Sequence, residues 1–149
     1  MSPIRTQIVF DAVEPHALAS FWAAALHYEP EEIDAFVRGL LNAGAVPADL
    51  VTEVDGKGGG RRWRRSAIPT TGSTSGAQGP VAASCSRQYR RPRPVKNRVH
   101  LDLLVGPEGC NSEVERLEAL GATVLNVHEG DDGRWVLMSD PEGNEFDVS

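Results

Sequence analysis

From Gly60 to Pro94 the chain contains only two residues of the Leu/Ile/Val/Phe set, Ile68 and Val81. Thirty-five residues so poor in apolar side chains cannot supply a hydrophobic core. Whatever this sequence folds into must be built from the two flanks. The same segment carries eight arginines: Arg61, Arg62, Arg64, Arg65, Arg87, Arg90, Arg91 and Arg93. No acidic residue lies between Asp55 and Asp102, so the formal charge of −6 divides into +8 in the middle and −14 elsewhere.

The flanks read as ordinary globular sequence. Gln7-Ile8-Val9-Phe10 is a short β-prone run. Glu14-Pro15 leads into a helix whose apolar face is Ala17, Leu18, Phe21, Trp22, Ala25 and Leu26. Glu31 and Glu32 open a second helix, with Ile33, Phe36, Val37, Leu40 and Leu41 as its stripe and Gly44 and Pro47 as its stop. Beyond the middle, residues 98–105 alternate as a strand. Val99, Leu101, Leu103 and Val105 face one way, and His100, Asp102 and Leu104 the other. Ser112 and Glu115 have the spacing of a capping box, which opens a helix with Val114, Leu117 and Leu120 inward and Gly121 at its end. Strands follow at 123–127 and 134–138, then the turn Asp140-Pro141-Glu142-Gly143-Asn144 and a last strand at 145–148. The second flank is thus strand, helix and three strands, and the first flank begins alike. An imperfect internal repeat implies two like modules.

Three segments in this order resemble a known family. They are Val95-Lys96-Asn97-Arg98-Val99-His100-Leu101-Asp102-Leu103, then Leu117-Glu118-Ala119-Leu120-Gly121-Ala122-Thr123-Val124, then Met138-Ser139-Asp140-Pro141-Glu142-Gly143-Asn144-Glu145-Phe146. With Ile8-Val9-Phe10-Asp11-Ala12 and the Phe21-Trp22 helix, they are similar to glyoxalase-like proteins of the vicinal oxygen chelate superfamily, which includes glyoxalases, bleomycin-resistance proteins and extradiol dioxygenases. The resemblance covers residues 4–56 and 94–149. It implies an α+β fold of two βαβββ modules, 4–95 and 96–149, in one glyoxalase-like domain, with the first module incomplete between 57 and 94. It also implies a small-molecule ligand inside the curved sheets, a divalent metal ion as cofactor, and a homodimer as the assembly. Carried over by position, the metal ligands are Gln7, His100 and Asp147. Trp22, Asp102 and Trp135 are the ligand-binding candidates, Asp102 also as a hydrogen-bond partner for the His100 ring. The function implied is a metal-assisted small-molecule lyase or dioxygenase-type enzyme. The alternative is a non-catalytic protein of the same fold that binds or sequesters a small molecule.

Other classes find less support. Cys85 and Cys110 make neither a disulfide framework nor a zinc site. No apolar run approaches the ~20 residues of a membrane span, and the N-terminus lacks a signal-peptide stretch, so a cytoplasmic location and no membrane partner are expected. His16 and His27 flank the first helix and read as solvated. The acidic turn after His128 lacks calcium-loop spacing.

The middle has three readings. Arg61-Arg62-Trp63-Arg64-Arg65 interleaves arginine with an aromatic as single-strand binders do, but the −14 framework would repel a polyanion, so no nucleic-acid partner is expected. A Gly/Ser/Thr/Pro linker describes the composition without explaining lost strands. A shifted reading frame in a GC-rich gene explains both. Taking third bases as new first bases, the codons for Ser84 to Arg91 can encode Leu-Phe-Gln-Ala-Val-Pro-Glu, and those for Ala67 to Thr74 can encode Asp-Pro-Asp-His-Gly-Val-Asp. On this reading residues 57–94 form a long, poorly ordered loop.

Overall fold

A computed structural model of the chain describes residues 7–30, 34–54, 57–60, 67–69, 82–88, 99–131 and 133–149. The chain divides into two compact units, Met1–Arg91 and Pro92–Ser149.

The first unit begins with β1 (Gln7–Ala12) and helix α1 (Pro15–Ala25). Pro15 stands at the first helical position, where its missing N–H costs nothing. The helix buries Leu18, Ala19, Phe21, Trp22, Ala23 and Ala25, close to the face that the 3.6-residue spacing marks out, although Ala17 at its edge is exposed. Trp22 is 1% exposed, with Phe10 stacked on it at 5.2 Å and Phe21 edge-on at 5.3 Å. His27 then takes a left-handed conformation, φ 53°, where glycine is the usual occupant. A short strand absent from the sequence reading, β2 (Tyr28–Pro30), follows.

Helix α2 (Asp34–Asn42) carries an i, i+4 ion pair in which Arg38 Nε donates to both Asp34 oxygens at 3.0 and 2.8 Å. The expected start at Glu31 and Glu32 lies outside the described residues, as does Ile33. Of the expected stripe, Val37 is buried, Leu40 and Leu41 are half-buried, and Phe36 is 63% exposed. Each residue turns the helix by about 100°, so drawing Val37 inward swings Phe36 out. The helix ends as predicted, at Gly44, φ 64°. The Gly44 and Ala45 N–H groups donate back to Leu41 and Leu40.

A 3-10 turn (Ala48–Leu50) leads to β3 (Val51–Val54), which pairs antiparallel with β4 (Lys57–Gly60). β5 (Ala67–Pro69) pairs antiparallel with β2, and β6 (Ala82–Gln88) runs parallel to β1 with a register shift between Phe10 and Asp11. These strands correct the expectation of an unbroken loop from 57 to 94. Strands pair through backbone groups, so β6 can join β1 with the sequence Ala-Ala-Ser-Cys-Ser-Arg-Gln.

The second unit is the expected βαβββ module. It comprises β7 (Leu101–Leu103), α3 (Cys110–Ala119), β8 (Thr123–Gly130), β9 (Gly133–Ser139) and β10 (Glu145–Val148). The sheet order is β7-β10-β9-β8, with β7 parallel to β10 and the other pairs antiparallel. Val136, Met138, Phe146 and Val148 line one sheet face and are at most 1% exposed; Leu117 and Cys110 of α3 are buried with them. Each large side chain so buried contributes about 1.5–3 kcal/mol.

Strand β7 is shorter than the alternation predicts. Only Leu101 and Leu103 turn partly inward, while Val99 and Val105 are 65% and 38% exposed; the register with β10 covers residues 101–103, and the Val105 N–H donates to the Ser149 carbonyl at 2.7 Å. The capping box is also corrected. The cap of α3 is Gly109, and Ser112 lies inside the first turn, its Oγ donating to the Gly109 carbonyl at 2.9 Å. A Cβ on Gly109 would stand 2.8 Å from the Val105 carbonyl oxygen, so this close approach needs glycine. Glu113 accepts two bonds from Arg116, at 2.8 and 2.6 Å, which raises the guanidinium pKa above its ordinary value. Leu117 is fully buried and Val114 half-buried, but Leu120 is 37% exposed because it caps the C-terminus of α3 rather than continuing its inner face. Gly121, φ 107°, closes that end, with the Gly121 and Ala122 N–H groups donating to Glu118 and Leu117.

The Asp140–Asn144 turn joins β9 to β10. Asp140 is 3% exposed, and its carboxylate accepts the Glu142 and Asn144 N–H groups at 2.9 Å and the Asn144 side-chain amide at 2.7 Å. Gly143 supplies the positive φ, 82°. Among the described residues no helix is long and apolar enough to cross a membrane.

Candidate metal centre

The period of two that buries one face of the second sheet fixes what lies on the other. Phe146 pairs with Leu101 and Met138 on the α3 side, so Asp147, its neighbour on β10, points to the opposite face. There it pairs with Asp102 of β7 and with Leu137 of β9, which in turn pairs with Asn126 of β8. His100 precedes β7 by one residue and joins the same face. Its Nδ1 lies 3.3 Å from Asp147 Oδ2 and 3.5 Å from Asp102 Oδ1.

Donor atoms of the three residues all fall within 4.8 Å of one another. Metal bonds of about 2.0–2.2 Å to nitrogen and carboxylate oxygen put neighbouring donors roughly 3.0–3.5 Å apart. The two His100 separations meet that requirement. Two carboxylates and an imidazole also make a donor set that Mn(II), Zn(II) and similar ions accept. The side chains are graded in depth: Asp147 is 21% exposed, His100 33% and Asp102 63%. Opposed carboxylates concentrate negative charge at the mouth of the site, which favours a cation.

Gln7 lies in β1 of the first unit, where its backbone pairs with Ala82. Trp22 belongs to the core of that unit, between Phe10 and Phe21. Trp135 is half-buried on β9, on the His100 face, and pairs across the strands with His128. The two rings stack with centroids 3.6 Å apart and planes 24° from parallel. Sequence reasoning assigned His128 no role beyond its place before an acidic turn. Its stacking partner becomes visible only once the β8–β9 register is known. His16 is half-buried rather than solvated. Cys110 is buried at the start of α3, with its thiol 3.6 Å from the Val148 carbonyl.

Comparison with known proteins gives the setting of this geometry. No curated protein sequence matches the chain. Its fold is similar to that of a genomically encoded fosfomycin resistance protein, FosX, from Listeria monocytogenes, with 10% identity, 99% of this chain and 93% of that one covered, and a TM-score of 0.57. It is also similar to a glyoxalase/bleomycin resistance protein/dioxygenase family enzyme from Burkholderia phytofirmans PsJN, with 13% identity, 96% and 93% coverage, and a TM-score of 0.50. A mutant of the Listeria FosX, solved in complex with Mn(II) and 1S,2S-dihydroxypropylphosphonic acid, matches at 10% identity over 95% of this chain and 83% of that one, with a TM-score of 0.50. The family match itself runs from residue 7 to residue 149, and by it the chain belongs to the glyoxalase-like domain family.

Proposed function

We propose that this protein is a metal-dependent enzyme acting on a small oxygen-bearing molecule, with His100, Asp102 and Asp147 holding a divalent ion. One observation carries the reading: the His100 nitrogen stands at ligand–ligand distance from two carboxylates that are direct partners in the register of β7 and β10. The Mn(II) bound in the similar FosX complex supports it. Asp102 takes the third position, which the family resemblance assigns to Gln7.

When bound, the ion supplies a Lewis acid that polarises a substrate oxygen and offsets charge developing there. The chain's own part is positional. Asp147 is the most enclosed of the three donors, on a strand that the Asp140 turn leads into and that has a partner on either side. His100 offers its Nδ1 from the entry of β7. Leu137, paired directly with Asp147, presents an apolar side chain that limits water beside the reacting oxygen.

Mn(II) titration of the full chain, followed by the resonance of the free ion, tests this. One saturable site is expected, weakened at least tenfold in H100A, D102A and D147A and unchanged in Q7A. Binding that survives D147A, or no saturable site at all, would refute it.

A further inference from the structure

We infer that β7 is a metal-responsive strap, seated on β10 more firmly once His100 and Asp102 share a divalent ion with Asp147. This rests on the metal reading above and adds that ion binding sets the stability of one particular strand.

The donors divide unevenly between elements. His100 stands at the entry of β7 and Asp102 within it, whereas Asp147 lies on β10. An ion held by all three therefore crosses the seam between two strands. That seam is the shortest in the sheet. β7 is an edge strand whose ladder with β10 spans three residues, whereas β10 and β9 pair over four and β9 and β8 over seven.

The side chains of β7 add little to hold it. Leu101 and Leu103 pair with Phe146 and Val148 on the α3 side but are only half-buried. Val99 and Leu104, on either side of the strand, are 65% and 78% exposed. Asp102 and Asp147 face each other directly, with carboxylate oxygens within 4.8 Å, so without a cation this pair opposes the ladder.

The two ends of β7 are held differently. Past Leu103 the backbone closes on Ser149, whose N–H donates to the Leu103 carbonyl at 3.0 Å and whose carbonyl accepts from Val105 and Gly106 at 2.7 and 3.0 Å. At the opposite end the groups that meet β10 are His100 and Asp102 themselves, through Asp147. The strap is thus hinged at Ser149 and fastened at the metal site. An ion that binds only the seated strand lowers the population of the opened one by the factor 1 + [ion]/Kd, about a hundredfold at a hundred times Kd.

Hydrogen–deuterium exchange of the full chain, with and without Mn(II), tests this by mass spectrometry of peptides that contain β7 and β9. Saturating Mn(II) should slow the β7 peptide about tenfold or more and leave the β9 peptide within about twofold. In metal-free D102N the β7 peptide should exchange more slowly than in the metal-free native chain, because the carboxylate pair is gone, and it should respond less to Mn(II). If D102N fails to fold, the native comparison decides alone. Mn(II) binding that leaves β7 exchange unchanged, or that slows β7 and β9 equally, would overturn the strap and leave the metal reading intact. A chain that binds no Mn(II) would overturn both.

Discussion

Removing the Asp140 carboxylate should cost the second unit more than any surface change near it. Asp140 sits in the β9–β10 turn at 3% exposure and accepts three hydrogen bonds, from the Glu142 and Asn144 N–H groups and the Asn144 amide. In Asp140→Ala these donors lose their acceptor, and Asn144 is itself only 8% exposed. An unsatisfied buried donor costs about 1–3 kcal/mol. With Asn144 fully and Glu142 partly shielded, the combined loss is roughly 2–4 kcal/mol. For a chain of this size that lowers Tm by about 4–16 °C. Asp140→Asn keeps an oxygen for the two backbone donors and forfeits only the side-chain amide bond, a loss of about 1 kcal/mol.

Urea titration of the three proteins measures the series. The same turn sets the register that aims Asp147, so Mn(II) affinity of folded D140A should fall as well. An alanine variant within about 0.5 kcal/mol of the native chain would show that the turn holds without its carboxylate, and the reasoning would fail.

Three further outcomes are expected. Gly109→Ala forces a methyl to within 2.8 Å of the Val105 carbonyl oxygen, so α3 must shift. Thermal melting should show a loss of about 1–3 kcal/mol. Ser112→Ala should change stability by less than about 0.5 kcal/mol, since Ser112 is not the cap, whereas loss of a true capping side chain costs about 1 kcal/mol. Nucleotide sequencing of the gene tests the shifted-frame reading of the middle segment. A compensating pair of frame changes is expected near codons 57–66 and 91–95, and an uninterrupted frame would dismiss it.

Much of the second unit was legible because its signals are local. The Asp-Pro-Glu-Gly-Asn turn, Gly121 after the helix and the alternation of β9 and β10 each declare themselves within a few residues. Ser112 and Glu115 misled for the same reason. A capping box is a spacing, and the chain starts the helix earlier because Gly109 alone can approach Val105. The alternation overstates β7, because past Leu103 the chain meets only Ser149, whose carbonyl accepts from both Val105 and Gly106 and ends the ladder.

His100 and Asp147 came from family resemblance, and residue patterns alone could not have joined them. Their meeting depends on β7 lying parallel to β10 across an intervening helix and hairpin. Asp102 was in view on the His100 face but without its opposite number on β10, so its place beside Asp147 was hidden. The β1–β6 pairing was illegible for a plainer reason: backbone hydrogen bonds leave no mark on side-chain composition.

Asp102 and Asp147 are direct partners in a parallel ladder, and like charges so placed push strands apart. Strand β7 has three residues with which to resist. On the proposed metal reading, folding and ion binding make opposite demands on this one pair of positions. An amide in place of either carboxylate would ease the seam and yield a sturdier protein with less to do. In a population of variants, selection for robustness alone would erode this pair early, and selection for the proposed ion site would hold it.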